Sequence, residues 1–281
     1  MILIADSGSS KTDWRLIDEE GRIHQAKTMG INPLLHTEDE ILALLQNELL
    51  PQLSQKQVKE AYFYGAGCAS EKACTLISHA LEKIFPGVRA SVTHDLLAAA
   101  RALCNQEAGI ACIVGTGSNS CLYDGEKIID KIPPLGYVLG DEGSGSYIGK
   151  QLLNAYLKRD MPEDLSMKFK KRFEIDIETV LENVYRQPSP SRYIAGFSRF
   201  AFHHLKHPYI FRMVYKSFED FFDKNVCKYD NYAAYKIHFT GSVAFYYSNL
   251  LRQVANDRGL FVKNIVEAPI AGLTLYHQER M

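Results

Sequence analysis

The chain has 281 residues, 46% of them hydrophobic and 23% charged, which is ordinary for a globular protein and long enough for two domains. Basic and acidic residues nearly balance, at a net charge of −1, so the composition predicts neither a nucleic-acid nor a membrane partner. The six cysteines lack metal-ligand spacing, and the first predicted strand starts at Ile2, which leaves no room for a signal peptide. We therefore expect a cytoplasmic protein with free thiols.

The first third of the sequence predicts a strand meander followed by alternating helices and strands. "MILIAD", "TDWRLID" and "RIHQAKT" have the pattern of three strands, with a hairpin turn at "DEEG". A long amphipathic helix, "TEDEILALLQNELLPQL", follows, with Thr37 as its N-cap. Then come the strand "KEAYFYGAG", the helix "EKACTLISHALEKIF", the strand "RASVTHD" and the helix "LLAAARALC".

The pattern then repeats. "AGIACIVGTGSNSCLYDGEKIIDKI" predicts three more strands, and residues 143 to about 228 read as nearly all helix. Two further strands, in "KIHFTGSVAF" and "FVKNIVEA", lead to a last helix, "PIAGLTLYHQE". We interpret this as an internal duplication that produces two related α/β domains. The predicted limits are 1–107 with the C-terminal helix 269–281, and 108–268 with a helical insertion at about 143–228.

A turn of small residues follows the first strand of each repeat. The first turn is "DSGSSKT", from Asp6 to Thr12, and the second is "GTGSNS", from Gly115 to Ser120. Glycine lets backbone N–H groups approach an anion, and the hydroxyls add hydrogen-bond donors. Neither turn is a Walker or Rossmann pattern. One such turn would be a plain hairpin, but two of them predict a nucleotide cleft.

Two aspartates are candidates for chemistry. Asp6 precedes the first turn, where a carboxylate beside a triphosphate requires a cation, so we expect it to hold Mg²⁺; the alternative is a carboxylate bonded within its own turn. Asp95 ends a strand, in the crevice where open α/β sheets bind ligands, and could accept a proton from an attacking hydroxyl. The alternative for Asp95 is a helix N-cap.

A third candidate is the loop "GYVLGDEGSGSYIGK", which combines four glycines with Asp141 and Glu142. Fixed carboxylates suit vicinal sugar hydroxyls, so we expect Asp141 to bind a sugar while the phosphates belong to the two turns. The alternative is capping of the following helix by the two acids.

Together these segments resemble the sugar kinases and ATPases of the actin/hexokinase/Hsp70 superfamily, and most of all the N-acetylglucosamine kinase branch that groups with the BadF/BadG/BcrA/BcrD ATPases. The resemblance runs in order along the whole chain. It rests on "DSGSSKTDW", "GINP", "THDLLAAARA", "GTGSNS", "GDEGSGSYIGK" and "FTGSVA".

The resemblance implies two RNase H-like (actin-like ATPase) domains with a nucleotide and sugar cleft between them, and a kinase that uses ATP and Mg²⁺. It implies direct in-line transfer to the 6-hydroxyl of an amino sugar, with Asp95 as the base and Asp6 serving Mg²⁺. The implied ATP-binding residues are Asp6, Gly8, Ser9, Ser10, Thr12, Gly115, Thr116, Gly117, Ser118, Gly241 and Ser242. The implied sugar-binding residues are Asn32, Asp95, Gly136 and Asp141. A homodimer is left open.

One departure from the family bears on the sugar. Relatives have Gly-Gly-Trp-Gly ahead of the Gly-Asp-Glu-Gly string, whereas this chain has Pro133-Pro134-Leu135-Gly136, so an aromatic wall is missing there. The alternative function is a BadF-type activator that hydrolyses ATP without phosphorylating a sugar. That activator needs paired, solvent-facing cysteines for an iron–sulfur cluster, and Cys104, Cys112 and Cys121 lie on predicted core elements.

Overall fold

The computed structural model describes residues 1–8, 11–53 and 57–280. Contacts divide the chain into two compact units: unit 1 comprises Met1–Glu107, Gly125–Lys127 and Ala268–Met281, and unit 2 comprises Ala108–Asp124 and Ile128–Glu267. The predicted limits of the two RNase H-like domains remain predictions. Within the described ranges, no helix is both long and apolar enough to cross a membrane.

The described strands and helices are numbered separately along the chain. The strands are β1 (Ile2–Ser7), β2 (Lys11–Ile17), β3 (Ile23–Met29), β4 (Glu60–Gly65), β5 (Arg89–His94), β6 (Gly109–Val114), β7 (Ser118–Tyr123), β8 (Ile128–Ile132), β9 (Lys236–Thr240) and β10 (Val262–Val266). The helices are α1 (Glu38–Leu44), α2 (Glu71–Ile84), α3 (Asp95–Cys104), α4 (Gly136–Leu139), α5 (Gly145–Leu157), α6 (Glu163–Phe173), α7 (Ile177–Tyr185), α8 (Pro190–Gly196), α9 (Ser198–His203), α10 (Pro208–Lys224), α11 (Ser242–Tyr246), α12 (Ser248–Asp257) and α13 (Ile270–Gln278).

Unit 1 is built on a mixed five-stranded sheet of order β3-β2-β1-β4-β5. The first three strands form the predicted antiparallel meander, and β4 and β5 run parallel to β1. At one edge of the sheet Ser7 is in register with Gly65, and Gly65 with His94. Because parallel strands end at the same edge, the residues at the ends of β1 and β5 collect there.

The long helix predicted after Thr37 is divided into three segments. Thr37 and Glu40 form a capping box at the start of α1. A π-helical turn at Leu45–Leu49 and a 3₁₀ turn at Leu50–Gln52 then continue the chain. Pro51 lacks an N–H group and cannot continue the hydrogen-bonding pattern of the preceding turns, and the helical segment ends at Gln52.

The C-terminal helix α13 belongs to the packing of unit 1. Gly272 lets α13 approach α3 so closely that an added Cβ would lie 2.4 Å from the carbonyl oxygen of Ala102. His277 is buried, and its Nε2 lies 2.9 Å from the hydroxyl of Tyr64. Burial lowers the pKa of His277 to about 4, so this imidazole is neutral at pH 7.

Unit 2 repeats the same sheet. Its strand order is β10-β9-β6-β7-β8, with β6 to β8 antiparallel and β9 and β10 parallel to β6. When each sheet is read from the third strand of its meander, the two strand orders are the same: the third, second and first strands of the meander, followed by the two parallel strands. This confirms the predicted α/β fold class and the duplication.

The helical insertion lies in unit 2, where helices α5 to α10 fill the interval between β8 and β9. Its core is strongly aromatic, and aromatic rings pack well with their edges against neighbouring faces. The phenylalanines without measurable exposure in this core are Phe169, Phe200, Phe218, Phe221, Phe222 and Phe239. This core holds α5, which begins directly after the glycine-rich loop.

Helix α5 crosses α8 at Gly149, where an added Cβ would lie 1.9 Å from the carbonyl oxygen of Ile194. Alanine normally stabilises a helix by about 1 kcal/mol relative to glycine. Here we expect Gly149→Ala to lower the free energy of unfolding by about 1–3 kcal/mol, because backbone must move to admit the methyl group. Thermal melting measures the change.

Gly196→Ala is the matched control, since Gly196 ends α8 and an added Cβ there meets nothing within 4 Å. That variant should be as stable as the parent or slightly more stable. Equal melting temperatures for Gly149→Ala and the parent would contradict the close crossing of the two helices.

Candidate functional site

In unit 1, three aspartates lie near the carboxyl end of β1, namely Asp6, Asp13 and Asp95. Asp6 is directly opposite Asp13 in the antiparallel pairing of β1 and β2. Asp13 is buried and paired with two lysines, its carboxylate lying 2.9 Å from Lys11 Nζ and 3.6 Å from Lys27 Nζ. No ion pair of this kind forms at Asp6 within the described chain, so no direct partner offsets the negative charge of its ionised carboxyl group.

The surroundings of Asp6 disfavour the ionised form of its carboxyl group. Burial contributes most, and the charges of Asp95 and Asp13 add to it, so that the pKa of Asp6 rises from 3.8 to about 7 in spite of Lys11. A divalent cation would reverse this shift, because it favours the ionised carboxylate. Carboxylate oxygen is also the ligand type that Mg²⁺ prefers, and Mg²⁺ commonly takes one or two carboxylates with water and phosphate oxygens. The residues therefore fit such an ion.

Asp95 is the first residue of α3 and not its N-cap. His94 takes the capping role, with its Nδ1 accepting a hydrogen bond from the Leu97 N–H at 3.2 Å. The capping alternative for Asp95 is therefore wrong. Burial raises the pKa of Asp95, although His94 and the N–H groups of Leu96 and Asp95 act in the opposite direction. A raised pKa makes the carboxylate a better proton acceptor.

The first small-residue turn is closed by a hydrogen bond from Gly8 N–H to the Lys11 carbonyl, at 3.0 Å. Gly8 is exposed, while Ser9 and Ser10 lie outside the described residues. Thr12 is buried, and its hydroxyl bonds to Ser7 Oγ at 2.7 Å and to the Met29 carbonyl at 3.1 Å. Thr12 thus supports the turn from the protein side.

Asn32 is fixed by its own loop. Its Oδ1 accepts a hydrogen bond from Leu34 N–H at 2.9 Å, and its main-chain carbonyl accepts from Leu35 and His36. Gly67 makes room for this amide, since a Cβ there would lie 2.2 Å from Asn32 Oδ1. The orientation is therefore set, and Nδ2 is the amide donor that remains.

In unit 2, the second turn is attached to the start of α5. Gly145 N–H donates to the Gly115 carbonyl at 2.8 Å, and Ser146 N–H donates to the Thr116 carbonyl at 3.0 Å. These bonds use the first N–H groups of α5, so the helix offers an anion mainly its dipole. Thr116 itself is exposed.

Asp141 lies against the second turn. Its Oδ1 accepts a hydrogen bond from Ser118 N–H at 3.2 Å, and a Cβ on Gly117 would lie 2.8 Å from Oδ2. Burial, with the charge of Glu142, raises the pKa of Asp141, while Ser118 N–H lowers it. Ser144, whose Oγ accepts from Tyr147 N–H, caps α5, so the capping alternative for the two acids is wrong. Asp141 therefore does not act independently of the second turn. Replacing it should disturb the turn as well as the loop that carries Asp141.

Gly241 and Ser242 lie beside this turn. Gly241 has φ +114°, and a Cβ there would lie 2.4 Å from the carbonyl oxygen of Val114, the residue before the turn. Thr240, directly before Gly241, is a residue that the sequence analysis missed. Its buried Oγ1 has no hydrogen-bond partner within the described chain.

A cavity of about 250 Å³ opens next to Asp141. Gly136, with φ +73°, begins the short helix α4, whose last residue, Leu139, lines the cavity. Residues on several elements line it, among them Ser118, Leu135, Leu139, Asp141, Glu142 and Asn225. A larger, open depression of about 610 Å³ on α6 and the segment after it is lined by none of the predicted site residues.

The metal expectation rests on Asp6 alone. Among the residues that the structure describes, no group of three or more His, Cys, Asp and Glu side chains could hold an ion. Cys104, Cys112 and Cys121 are buried, as expected from their predicted elements.

Comparison with solved structures decides the family. A protein from Porphyromonas gingivalis, provisionally named an N-acetylglucosamine kinase, is 44% identical over 99% of both chains, with a TM-score of 0.94. This chain belongs to the same family of sugar kinases. No protein-family model matches the sequence, and no curated protein matches it.

More distant members of the fold extend the comparison. A protein from Chromobacterium violaceum with the same provisional name is 16% identical over 98% of both chains, with a TM-score of 0.75. A ROK family glucokinase from Streptomyces griseus, solved with glucose and AMPPNP, is 16% identical, covers 99% of this chain and 98% of its own, and has a TM-score of 0.54. These two likenesses establish the fold, which has the two domains of actin-like sugar kinases.

Replacing Asp6 with a neutral residue should stabilise the protein, and the size of this gain should depend on pH. A carboxyl whose pKa is higher in the folded than in the unfolded chain costs stability as pH rises from about 4 to about 7. Asp6→Asn removes that cost. We expect the metal-free, nucleotide-free variant to melt on the order of 2–5 °C above the parent at pH 8. The gain should shrink steadily toward pH 4. A difference that is constant across this range would contradict the raised pKa.

Proposed function

We propose that this chain transfers the γ-phosphoryl group of ATP to the 6-hydroxyl of an amino sugar, most of all N-acetylglucosamine. The observation that carries the proposal is the 44% identity with the Porphyromonas gingivalis protein over 99% of both chains, since that protein is named for this sugar. ATP is proposed as the donor because the Streptomyces griseus glucokinase, which has the same fold, is solved with AMPPNP.

Asp95 is the proposed base. It has a pKa raised by burial, and its neighbour His94, not Asp95, is occupied as the helix cap. A carboxylate of this kind takes the proton of the sugar hydroxyl as the hydroxyl attacks the phosphorus, so that no charged oxonium has to form. Asp95 is also proposed to bind the sugar, because its carboxylate accepts a hydrogen bond from the same hydroxyl before the proton is transferred.

Asp6 is the proposed ligand of Mg²⁺, which when bound would neutralise charge on the phosphates. Gly8 offers its exposed turn, where no Cβ keeps a phosphate oxygen from the backbone. Ser9 and Ser10 stay predictions from the sequence. Thr12 is assigned to hold this turn in place through Ser7 and Met29.

Unit 2 supplies the second set of groups. Gly115, Thr116, Gly117 and Ser118 are proposed to bind phosphate, with the turn kept rigid by its bonds to Gly145 and Ser146. Gly241 and Ser242 are proposed for the adenosine. Asn32, Gly136 and Asp141 are proposed to bind the sugar. Catalysis of this kind is mostly positioning and charge stabilisation, which requires rigid turns.

Asp95→Asn tests the base. The amide keeps the shape of the side chain but accepts no proton at neutral pH, so we expect turnover to fall on the order of 10²–10⁴-fold. Binding of ATP and of the sugar, measured by calorimetry, should change little. A coupled assay of ADP release measures turnover.

Asp39→Asn is the matched control, because Asp39 is an exposed acid in the first turn of α1, as Asp95 is in the first turn of α3. This variant loses an acid from a helix N-terminus that is not part of the proposed site, so its turnover should equal that of the parent. Normal turnover in Asp95→Asn would remove Asp95 from the chemistry.

A further inference from the structure

The cavity beside Asp141 contains a polar group that the proposed chemistry does not use. Asn225, the residue after α10, is only 7% exposed, and its Nδ2 finds no hydrogen-bond partner in the described part of the chain. An unpaired buried amide donor is costly for the folded protein. Because Asn225 lines the cavity, an acceptor atom of a ligand placed there would satisfy it.

The rim of the same cavity is apolar. Leu135 and Leu139, at the two ends of the α4 segment, are 60% and 73% exposed, and Ile132 and Pro134 continue the lining. Large exposed apolar side chains grouped around a cavity mark a contact for an apolar group of a ligand.

The charges around the cavity are largely compensated. Glu142 Oε1 is 3.2 Å from Lys224 Nζ, and the raised pKa of Asp141 shows that burial disfavours a further negative charge there. An anion is therefore disfavoured, and an ammonium group has no acceptor for Asn225 Nδ2, so the matching group is neutral, with a hydrogen-bond acceptor and an apolar end. The volume of about 250 Å³ lies below the range of roughly 300–1,000 Å³ for drug-sized ligands, so it suits a substituent of the sugar.

We propose that this cavity is the subsite for the acetamido group of the amino sugar. Asn225 Nδ2 donates a hydrogen bond to the amide carbonyl, and Leu135 and Leu139 contact the methyl group. The inference rests on the proposed function, because the cavity shares Asp141 with the proposed sugar site.

Asn225→Asp tests this subsite, because it keeps the shape, removes the donor and adds a charge that attracts the ammonium group of glucosamine. We expect the ratio of kcat/KM for N-acetylglucosamine to kcat/KM for glucosamine to fall by about 10- to 100-fold. Asn225→Ala, which adds no charge, should lower kcat/KM for N-acetylglucosamine in the same direction. Thermal melting establishes that both variants are folded.

Asn154→Asp is the matched control, since it puts the same change on an exposed position of α5 that does not line the cavity. It should leave the ratio unchanged. An unchanged ratio in Asn225→Asp, or an equal loss for both sugars, would overturn the subsite and leave the kinase proposal standing.

Calorimetry separates failure of the subsite from failure of the proposed function. If the parent phosphorylates no sugar, the proposed function fails, and binding of N-acetylglucosamine then decides the subsite. Binding by the parent that weakens at least about tenfold in Asn225→Asp supports the subsite, by the same loss of a hydrogen bond. No binding by the parent, or equal binding by both, overturns it.

Discussion

Two carboxyl groups, Asp6 and Asp95, share one desolvated edge of the unit 1 sheet, and the proposed chemistry depends on that constraint. The parallel pairing of β1, β4 and β5 fixes their positions, because it brings the strand ends into register. Burial then raises both pKa values, and the charge of Asp95 adds to the shift at Asp6. Such an edge disfavours the ionised carboxylates, and a cation beside Asp6, with a proton donor beside Asp95, would offset that cost.

Unit 2 achieves rigidity by a different means. Its second turn is bonded to α5 through Gly145 and Ser146, and Asp141 supports it from the other side through Ser118. The aromatic core of the insertion in turn holds α5, so a turn of small residues is fixed by a large hydrophobic cluster. The proposed phosphate contacts would gain from this arrangement, since rigid donors need not be reorganised when charge develops.

Much of this architecture could be predicted from the sequence, because hydrophobic periodicity and glycine turns are local signals. The α/β class and the duplication followed from the repeated meander and the alternation of helices and strands, and the six motifs in order indicated the family. The roles of particular side chains were less predictable. A threonine in a glycine turn reads as a phosphate ligand, yet Thr12 faces inward, since only the register of β2 decides its direction. The cap of α3 passes to His94 because of backbone geometry at the strand end. Asn225 carries no motif, and its unpaired amide becomes visible only when α10 is packed.

The most direct test of the account is a measurement of ADP and product formation with Mg·ATP and a panel of N-acetylglucosamine, glucosamine, N-acetylmannosamine, N-acetylmuramic acid and glucose. Phosphorus NMR of the product identifies the hydroxyl that is phosphorylated. The account predicts ADP release that requires a sugar, with N-acetylglucosamine the best acceptor and one sugar 6-phosphate formed for each ADP. ADP release at the same rate with and without every sugar would contradict it, and would instead indicate an ATPase of the activator type.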